Sequence, residues 1–343
     1  MCKFCRFFIS LSKRYLAVCM KTIKIQFLDF YRGFFDYIEN DLFVRILKKH
    51  FDLQICDDPD YVIYSVFGER HWRVPDRCVK IFYTGENLAP DFNACGYGIG
   101  FEWMDYQDRY FRFPFYLRVD KPTLDKMEHK HELPSDWDIR TEKPDFCSFV
   151  VSNPQNTVRN AAFARLNEYK HVNSGGKYMN NVGGPVQDKL AFDSRHKFSL
   201  CYENGRHDGY TTEKIVQAFA ARTVPIYWGD PTISRVFNPD AFINVSDYNS
   251  FEEVMEYIKF LDHNDDAYLK MLRAPAMLPT QPSIDEQLES FEKWFVGIFE
   301  QPLEEAYRRS RFMHGKDYTE KRKLLSLFYR NRMMKVLIKR LLK

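Results

Sequence analysis

Phe198-Ser-Leu-Cys-Tyr-Glu-Asn-Gly-Arg-His-Asp-Gly-Tyr-Thr-Thr-Glu-Lys-Ile-Val-Gln-Ala-Phe-Ala-Ala-Arg-Thr-Val-Pro-Ile-Tyr-Trp-Gly229 holds a strand, a glycine-broken polar turn, a helix and a second strand. Phe198 to Tyr202 is a short apolar run; Gly205 and Gly209 interrupt it, and Ile215, Ala218 and Phe219 recur at helical spacing up to Ala221. Val224 to Trp228 resumes extended structure. In such a βαβ unit the first turn opens at the amino end of the helix, where free N–H groups and the positive dipole end attract phosphate. Lys214 in that turn opposes the dipole, so its presence asks for an anionic partner. An isolated Glu213-Lys214 pair reads as solvated surface charge; following Glu203-Asn204 and a glycine turn between two strands, it reads as a binding site.

Upstream, Phe146 to Val151 predicts a strand ended by Asn153-Pro154, Thr157 to Tyr169 a helix, and Gly175 to Gly184 a loop. Downstream, Phe242 to Val245 predicts the last strand, followed by helical patterns over Phe251–Leu261, Asp266–Arg273 and Ile284–Phe299. A first half carries strand-like Ile23–Phe27, Tyr61–Ser65, Val79–Tyr83 and Tyr97–Phe101, with one amphipathic helix expected over Phe35–Lys49. The charged, Pro- and His-containing stretch from Asp120 to Pro144 reads as an interdomain linker. The expected fold class is α/β with two Rossmann-like domains facing across a cleft: an extension over 1–19, a first α/β domain with linker over 20–140, a second α/β domain over 145–300 and a basic tail over 301–343.

The chain has 343 residues, 45% of them hydrophobic and 17% aromatic, which excludes a disordered chain and suits two cores. Its net charge of +3 hides an asymmetry: residues 306–343 carry 13 basic against 2 acidic side chains, leaving the body at −8. A basic terminus on an acidic body, with no nucleic-acid module, argues against nucleic-acid binding. From Leu324 onward, Leu324, Leu327, Phe328, Met334, Ile338 and Leu341 share one helical face with no acid among them. Such a helix lies in a membrane interface with anionic lipid, or packs on the protein. The expectation is a cytoplasmic protein held peripherally on the inner face of the membrane. No uncharged stretch approaches the ~18 residues that span a bilayer. Cys56, Cys78, Cys147 and Cys201 sit in apolar runs as small buried residues, and Cys2-x-x-Cys5 stands alone. Asp58-Pro-Asp60 and Asp136-Trp-Asp138 match a metal-holding Asp-x-Asp pattern, yet neither lies on the phosphate-binding turn.

Three stretches occur in a telling order: Phe82-Tyr-Thr-Gly-Glu-Asn-Leu-Ala-Pro-Asp-Phe-Asn93 with Tyr97–Phe101 and Asp108–Pro114; Ser148–Pro154 with Arg159-Asn160 and Gly175–Gly184; and the run from Phe198 to Gly229. Together they resemble glycosyltransferase family 10, the bacterial α1,3/4-fucosyltransferases, over about residues 20 to 300. The resemblance implies the GT-B architecture and GDP-fucose as donor. It also implies inverting transfer of L-fucose to O3 of GlcNAc in an N-acetyllactosamine-type acceptor, giving a Lewis x-type product. A GT-B transferase using another nucleotide sugar is the alternative.

On that basis Arg159 and Lys214 are candidates for the diphosphate, by a guanidinium fork and a compact charge. Glu213 is expected to accept from sugar hydroxyls, with Asn204 and Tyr210 lining the pocket, while Glu203 either shares that pocket or is a structural carboxylate buried beside the turn. Glu86, at the carboxyl end of a predicted strand, is the expected catalytic base, in a partly desolvated site; Glu102 and Asp105 are its rivals. Protein cations and a helix end suffice to neutralise the leaving group, so no cofactor and no obligatory divalent metal are expected.

Overall fold

The computed structural model describes residues 20–310 and 312–330. The expectations on 1–19, and on the apolar face through Met334, Ile338 and Leu341, lie outside those residues.

The first elements in chain order are β1 (Thr22–Leu28), α1 (Leu42–His50), β2 (Asp52–Ile55), β3 (Tyr61–Tyr64), β4 (Val79–Tyr83), β5 (Tyr97–Gly100) and β6 (Tyr110–Arg112). The six strands run in the order β2-β1-β3-β4-β5-β6. The β1–β2, β1–β3, β3–β4 and β5–β6 pairs are parallel. Every residue of β3 and β4 is buried, as continuous apolar runs require when a parallel sheet is covered on both faces. The single helix expected over 35–49 is instead a 3-10 turn, Phe34–Asn40, followed by α1. Asp41 divides them: its backbone is extended and its carboxylate accepts the Phe43 N–H at 2.9 Å, so it caps α1 rather than continuing a longer helix.

Next come α2 (Lys121–Glu128), α3 (Ile139–Glu142), β7 (Asp145–Phe149), α4 (Thr157–Tyr169), β8 (Val172–Ser174), α5 (Lys189–Ser194), β9 (His196–Tyr202), α6 (Glu213–Ala220), β10 (Val224–Trp228) and β11 (Ile243–Asn244). Then follow α7 (Phe251–His263), α8 (Asp265–Arg273), α9 (Ile284–Glu300), the short α10 (Leu303–Ala306) and α11 (Met313–Arg330). The second sheet has the order β11-β10-β9-β7-β8, and all four neighbouring pairs are parallel. β7 stops at Phe149, before Asn153-Pro154, and the last strand is only two residues long.

The chain divides into two compact units. Within the described residues, 20–82, 92–97 and 295–330 form one, and 83–91 and 98–294 the other. In the first unit Leu28, Val62, Tyr64, Cys78 and Phe82 belong to one buried cluster, while Phe295 and Phe299 pack on Phe43 and Tyr61. In the second, Phe146, Phe149, Phe163, Leu166, Phe198, Val224, Ile226 and Ile258 form the core. Full burial of one such side chain is worth about 1.5–3 kcal/mol. Cys78, Cys147 and Cys201 are free and buried, and Cys56 is free and half-buried.

The stretch expected to be a linker is packed. Leu124 and Met127 of α2 are buried, and α2 lies against α6. Lys130 and Lys143, which make the stretch look solvent-facing in sequence, are themselves buried. The Lys130 ammonium donates to Leu272 O at 2.7 Å; Lys143 donates to Ser194 O at 2.5 Å and Ala221 O at 3.1 Å. Elsewhere Lys197 donates to Asp262 O at 2.8 Å, and Lys21 to Phe299 O at 2.7 Å and Gln301 O at 2.9 Å. Each of these lysines sets its charge against the carboxyl end of a helix, where carbonyls lack intrahelical partners and the dipole is negative.

At the end of the described chain, α11 buries Thr319 and Ser326 while Lys323 pairs with Asp76 at 2.6 Å. Arg322 lies 5.2 Å from the Trp72 ring centre. Leu324, Leu327 and Phe328 remain exposed. No helix among the described residues is long and apolar enough to cross a membrane.

Candidate active site

Strand order in the second sheet reverses at β7 and β9: β8 lies on one side of β7, and β9, β10 and β11 on the other. Ligands of parallel α/β sheets bind off the carboxyl ends of the strands at such a point. Both chain segments that leave these two ends carry candidate residues. After β7 the chain runs to Asn156, which caps α4 by accepting the Arg159 N–H at 2.9 Å. After β9 it runs to Glu203 and Asn204. The Asn156 side chain donates to Glu203 O at 2.8 Å, and Arg159 Nη1 donates to Asn204 Oδ1 at 3.3 Å. Arg159 is 1% exposed, its Nη2 donates to Asn153 O, and its Nε has no hydrogen-bond partner. Burial pulls the guanidinium below its ordinary pKa, while Glu203 opposes that shift.

The turn from 203 to 212 is built around two buried carboxylates. Glu203 accepts the Thr212 N–H at 2.7 Å, the Thr212 hydroxyl at 2.6 Å and the Lys214 ammonium at 2.9 Å. Of the two roles open to Glu203, these contacts are those of a structural carboxylate, and it also supplies the anionic partner that Lys214 asks for. Glu213 adds a second contact to Lys214 at 3.5 Å. Burial would lower the Lys214 pKa, but these two carboxylates outweigh it and raise the value. Burial likewise works to raise Glu213, and Lys214, the helix-end N–H and the Thr212 hydroxyl bring it below the usual range.

Asp230 is the second carboxylate and was not singled out in the sequence. It accepts the Gly209 N–H at 2.7 Å, the Thr211 hydroxyl at 3.0 Å and the Thr232 N–H at 2.7 Å. Its place in Gly229-Asp230-Pro231, directly after a strand, was the available signal. Gly209 has φ +81°, and a Cβ there would lie 2.3 Å from Phe101 O, so glycine is required on both counts. Gly229 is required by proximity alone, because its Cβ would meet Glu203 Cγ at 2.4 Å.

Segments following β4 and β5 border this turn. Phe101 packs edge-on against Tyr210 and His207. Trp103 donates to Thr232 Oγ1 at 2.7 Å and lies 3.7 Å and 5.0 Å from the Arg112 and Arg235 guanidinium carbons, contacts its sequence did not signal. Tyr210 is buried; burial first, then Glu203 and more weakly Glu86, push its phenol above the usual range. Asn87 comes within 3.3 Å of where a Cβ on Gly205 would sit. Glu86, its neighbour, is therefore brought to the turn, but its side chain is exposed rather than partly desolvated as expected. The cause is local: the turn after β4 is closed by the Glu86 N–H on Thr84 Oγ1 at 3.1 Å and covers no carboxylate. Of the rivals, Glu102 accepts from Tyr110 at 3.3 Å, and Asp105 accepts the Gln107 N–H at 3.0 Å as a turn cap.

Both Asp-x-Asp matches have structural employment. Asp138 caps α3 by accepting the Thr141 N–H at 3.1 Å, and Asp58 and Asp60 face Arg77. Among the described residues no group of three or more His, Cys, Asp or Glu side chains is arranged to hold a metal ion.

Two parallel α/β sheets, one ending at a glycine-shaped turn and a buried arginine, define a GT-B glycosyltransferase fold, and solved structures agree. The chain superimposes on a crystal structure of an α1,3-fucosyltransferase with a TM-score of 0.71 at 29% identity, covering 88% of this chain and 95% of that one. A crystal structure of α1,3-fucosyltransferase with GDP-fucose gives 0.65, covering 82% and 93%. Residues 25–118 match the Alpha-(1,3)-fucosyltransferase FucT N-terminal domain, and residues 140–287 the Glycosyltransferase family 10 (fucosyltransferase) C-terminal region. The chain belongs to glycosyltransferase family 10. Over 273 residues it is 34% identical to Alpha-(1,3)-fucosyltransferase FucT of Helicobacter pylori, a match covering 68% of this chain and 56% of that protein. It is 36% identical over 129 residues to the 4-galactosyl-N-acetylglucosaminide 3-alpha-L-fucosyltransferase 9 of Homo sapiens, covering 35% and 34%. The chain thus spans about half the length, or less, of these curated relatives.

Proposed function

We propose that this chain is an inverting α1,3-fucosyltransferase that moves L-fucose from GDP-fucose to O3 of GlcNAc in N-acetyllactosamine-type acceptors. The observation that carries the reading is Arg159, buried at the point of strand reversal with an unpartnered Nε and linked to Asn204. Family membership and likeness to a structure with GDP-fucose support the choice of donor. In this reading Arg159 and the amino end of α6 meet the diphosphate. Lys214 contributes its third N–H, the one now turned to Glu213 at 3.5 Å. Because Glu203 already neutralises Lys214, Arg159 supplies the larger share of uncompensated charge. Glu213 accepts from donor sugar hydroxyls, with Asn204 and Tyr210 beside it. Glu86 takes the proton of the acceptor hydroxyl as it attacks the face opposite the leaving nucleotide. No divalent metal takes part. The exposed Leu324, Leu327 and Phe328 of α11 support peripheral attachment of the basic tail to anionic lipid on the inner membrane face.

The test is incubation with GDP-fucose and type 1 and type 2 disaccharides, reading product linkage by NMR, beside thermal shifts with GDP and UDP. Selective stabilisation by GDP and an α1,3 product on the type 2 disaccharide are expected. Stabilisation by UDP alone would transfer the reading to another nucleotide sugar.

A further inference from the structure

A cavity of about 720 Å3 opens in the second unit among α2, α3, α5 and the carboxyl end of α6. Ser194, Ala221 and Arg222 line it, immediately before β9 and β10 begin, so it lies off the amino ends of these strands, whereas Glu203 and Asn204 follow the carboxyl end of β9. None of the residues assigned to transfer lines it. Its volume falls in the range of small-ligand sites.

The walls are preformed. Lys143 ties the ends of α5 and α6 together through Ser194 O and Ala221 O. Arg222 occupies the left-handed region at φ 52°, directly after a helix end where glycine is the favoured residue, and its guanidinium holds Glu132 O at 2.8 Å. That bond fixes the turn bearing Pro134 against α6. Trp137, between Asp136 and Asp138, packs against the core and faces the same cavity.

The lining chemistry selects among ligands. Asp125, Glu142 and Asp188 are interspersed with Lys126, His129, Lys143 and Arg222, so both signs line the cavity and neither forms the one-sided field that a polyphosphate or a polycation needs. Trp137, Pro134 and Leu190 offer an apolar surface, while the charged rim both donates and accepts hydrogen bonds. A pyranose has the matching form, with one C–H face and a rim of hydroxyls that donate and accept.

We propose that this cavity is a second saccharide site, which holds one repeat of a polymeric N-acetyllactosamine-type acceptor while another repeat is fucosylated. The proposal rests on the transferase reading above. Holding one repeat raises the effective concentration of the others without any new interaction at the transfer site.

Two variants test it: Trp137→Ala removes the aromatic surface, and Ala191→Trp, at an exposed position, fills the cavity. In both, KM for an acceptor of several repeats should rise at least about tenfold, while kcat and the KM values for the disaccharide and GDP-fucose stay unchanged. Saturation-transfer NMR on the full chain without donor should show binding of the long oligosaccharide that both variants weaken, while the disaccharide signal stays unchanged. Unchanged KM for the long acceptor, or equal losses for long and short acceptors, would overturn the proposal. If the wild type transfers no fucose, the NMR arm still decides: a long-oligosaccharide signal in the wild type that both variants weaken upholds the cavity while the transferase reading fails. Fucose transfer by a wild type whose long-oligosaccharide signal neither variant weakens removes the cavity alone.

Discussion

Replacing Glu203 by Gln should destabilise the second unit far more than a surface substitution. The carboxylate is 0% exposed and receives three donors, one of them the Lys214 ammonium, whose side chain is 19% exposed. Gln keeps the shape and one acceptor oxygen, but turns an amide N–H2 either toward the Thr212 N–H or toward the Thr212 hydroxyl and the ammonium together. Breaking a buried pair by neutralising one partner costs about 3–5 kcal/mol. Lys214 retains Glu213 at 3.5 Å and some exposure to water, so the lower end, about 3 kcal/mol, applies here. For a unit of this size that is a fall in Tm of about 6–12 °C. Scanning calorimetry of the full chain should show the loss in one transition. The double variant Glu203→Gln, Lys214→Met should recover most of it, because removing both charges of such a pair is often neutral. A single variant within about 0.5 kcal/mol of wild type, the scale of ordinary surface changes, or a double variant no better than the single, would refute the view that this pair braces the turn.

Glu86→Gln should lower kcat at least about 100-fold while GDP still protects the chain against heating; near-normal turnover would move the base to Glu102 or Asp105. Gly209→Ala combines φ +81° with a Cβ 2.3 Å from Phe101 O and should cost more than about 2 kcal/mol in urea unfolding; a smaller loss would mean the turn relaxes freely. Activity should survive EDTA, and full loss restored by manganese would count against the metal-free reading. His196 lies between Phe192 O at 2.8 Å and Asn173 Nδ2 at 2.9 Å, an arrangement that suits the neutral ring, and burial lowers its pKa. On acidification the unfolded chain therefore takes up the proton first. This contribution to stability is full above the ordinary value of about 6.5 and lost as pH falls toward the lower folded value. The denaturation midpoint of His196→Gln should depend less steeply on pH there, and an identical slope would show that His196 is not responsible.

Much of the second sheet was legible because its signals are local. Val224–Trp228 and Thr157–Tyr169 emerge with the boundaries their patterns predict, and α6 ends one residue early. Glu203 was legible only as a pair of alternatives, a pocket residue or a structural carboxylate, because the donors that decide between them, Thr212 and Lys214, fold back onto it. What failed depends on partners distant in sequence. The polar stretch from 120 to 144 packs only because Leu272, Ser194 and Ala221 supply carbonyls to its lysines. At the candidate site, Lys214 was read as a free cation awaiting a ligand, since nothing in the pattern tells that Glu203 turns back toward it. Asp230 sits in a turn signal after a strand, but its hold on Gly209, 21 residues upstream, was not legible for the same reason.

The lysines seated on helix ends make this chain sensitive to how it is handled. Acetic anhydride or an N-hydroxysuccinimide ester would convert Lys21, the exposed member of the set, into a neutral amide and strip the terminus of α9 of its cation. Immobilisation through primary amines and fixation with aldehydes carry the same hazard. Reductive methylation, which leaves the nitrogen charged, is the gentler labelling chemistry, and attachment through an engineered surface thiol spares these ends altogether.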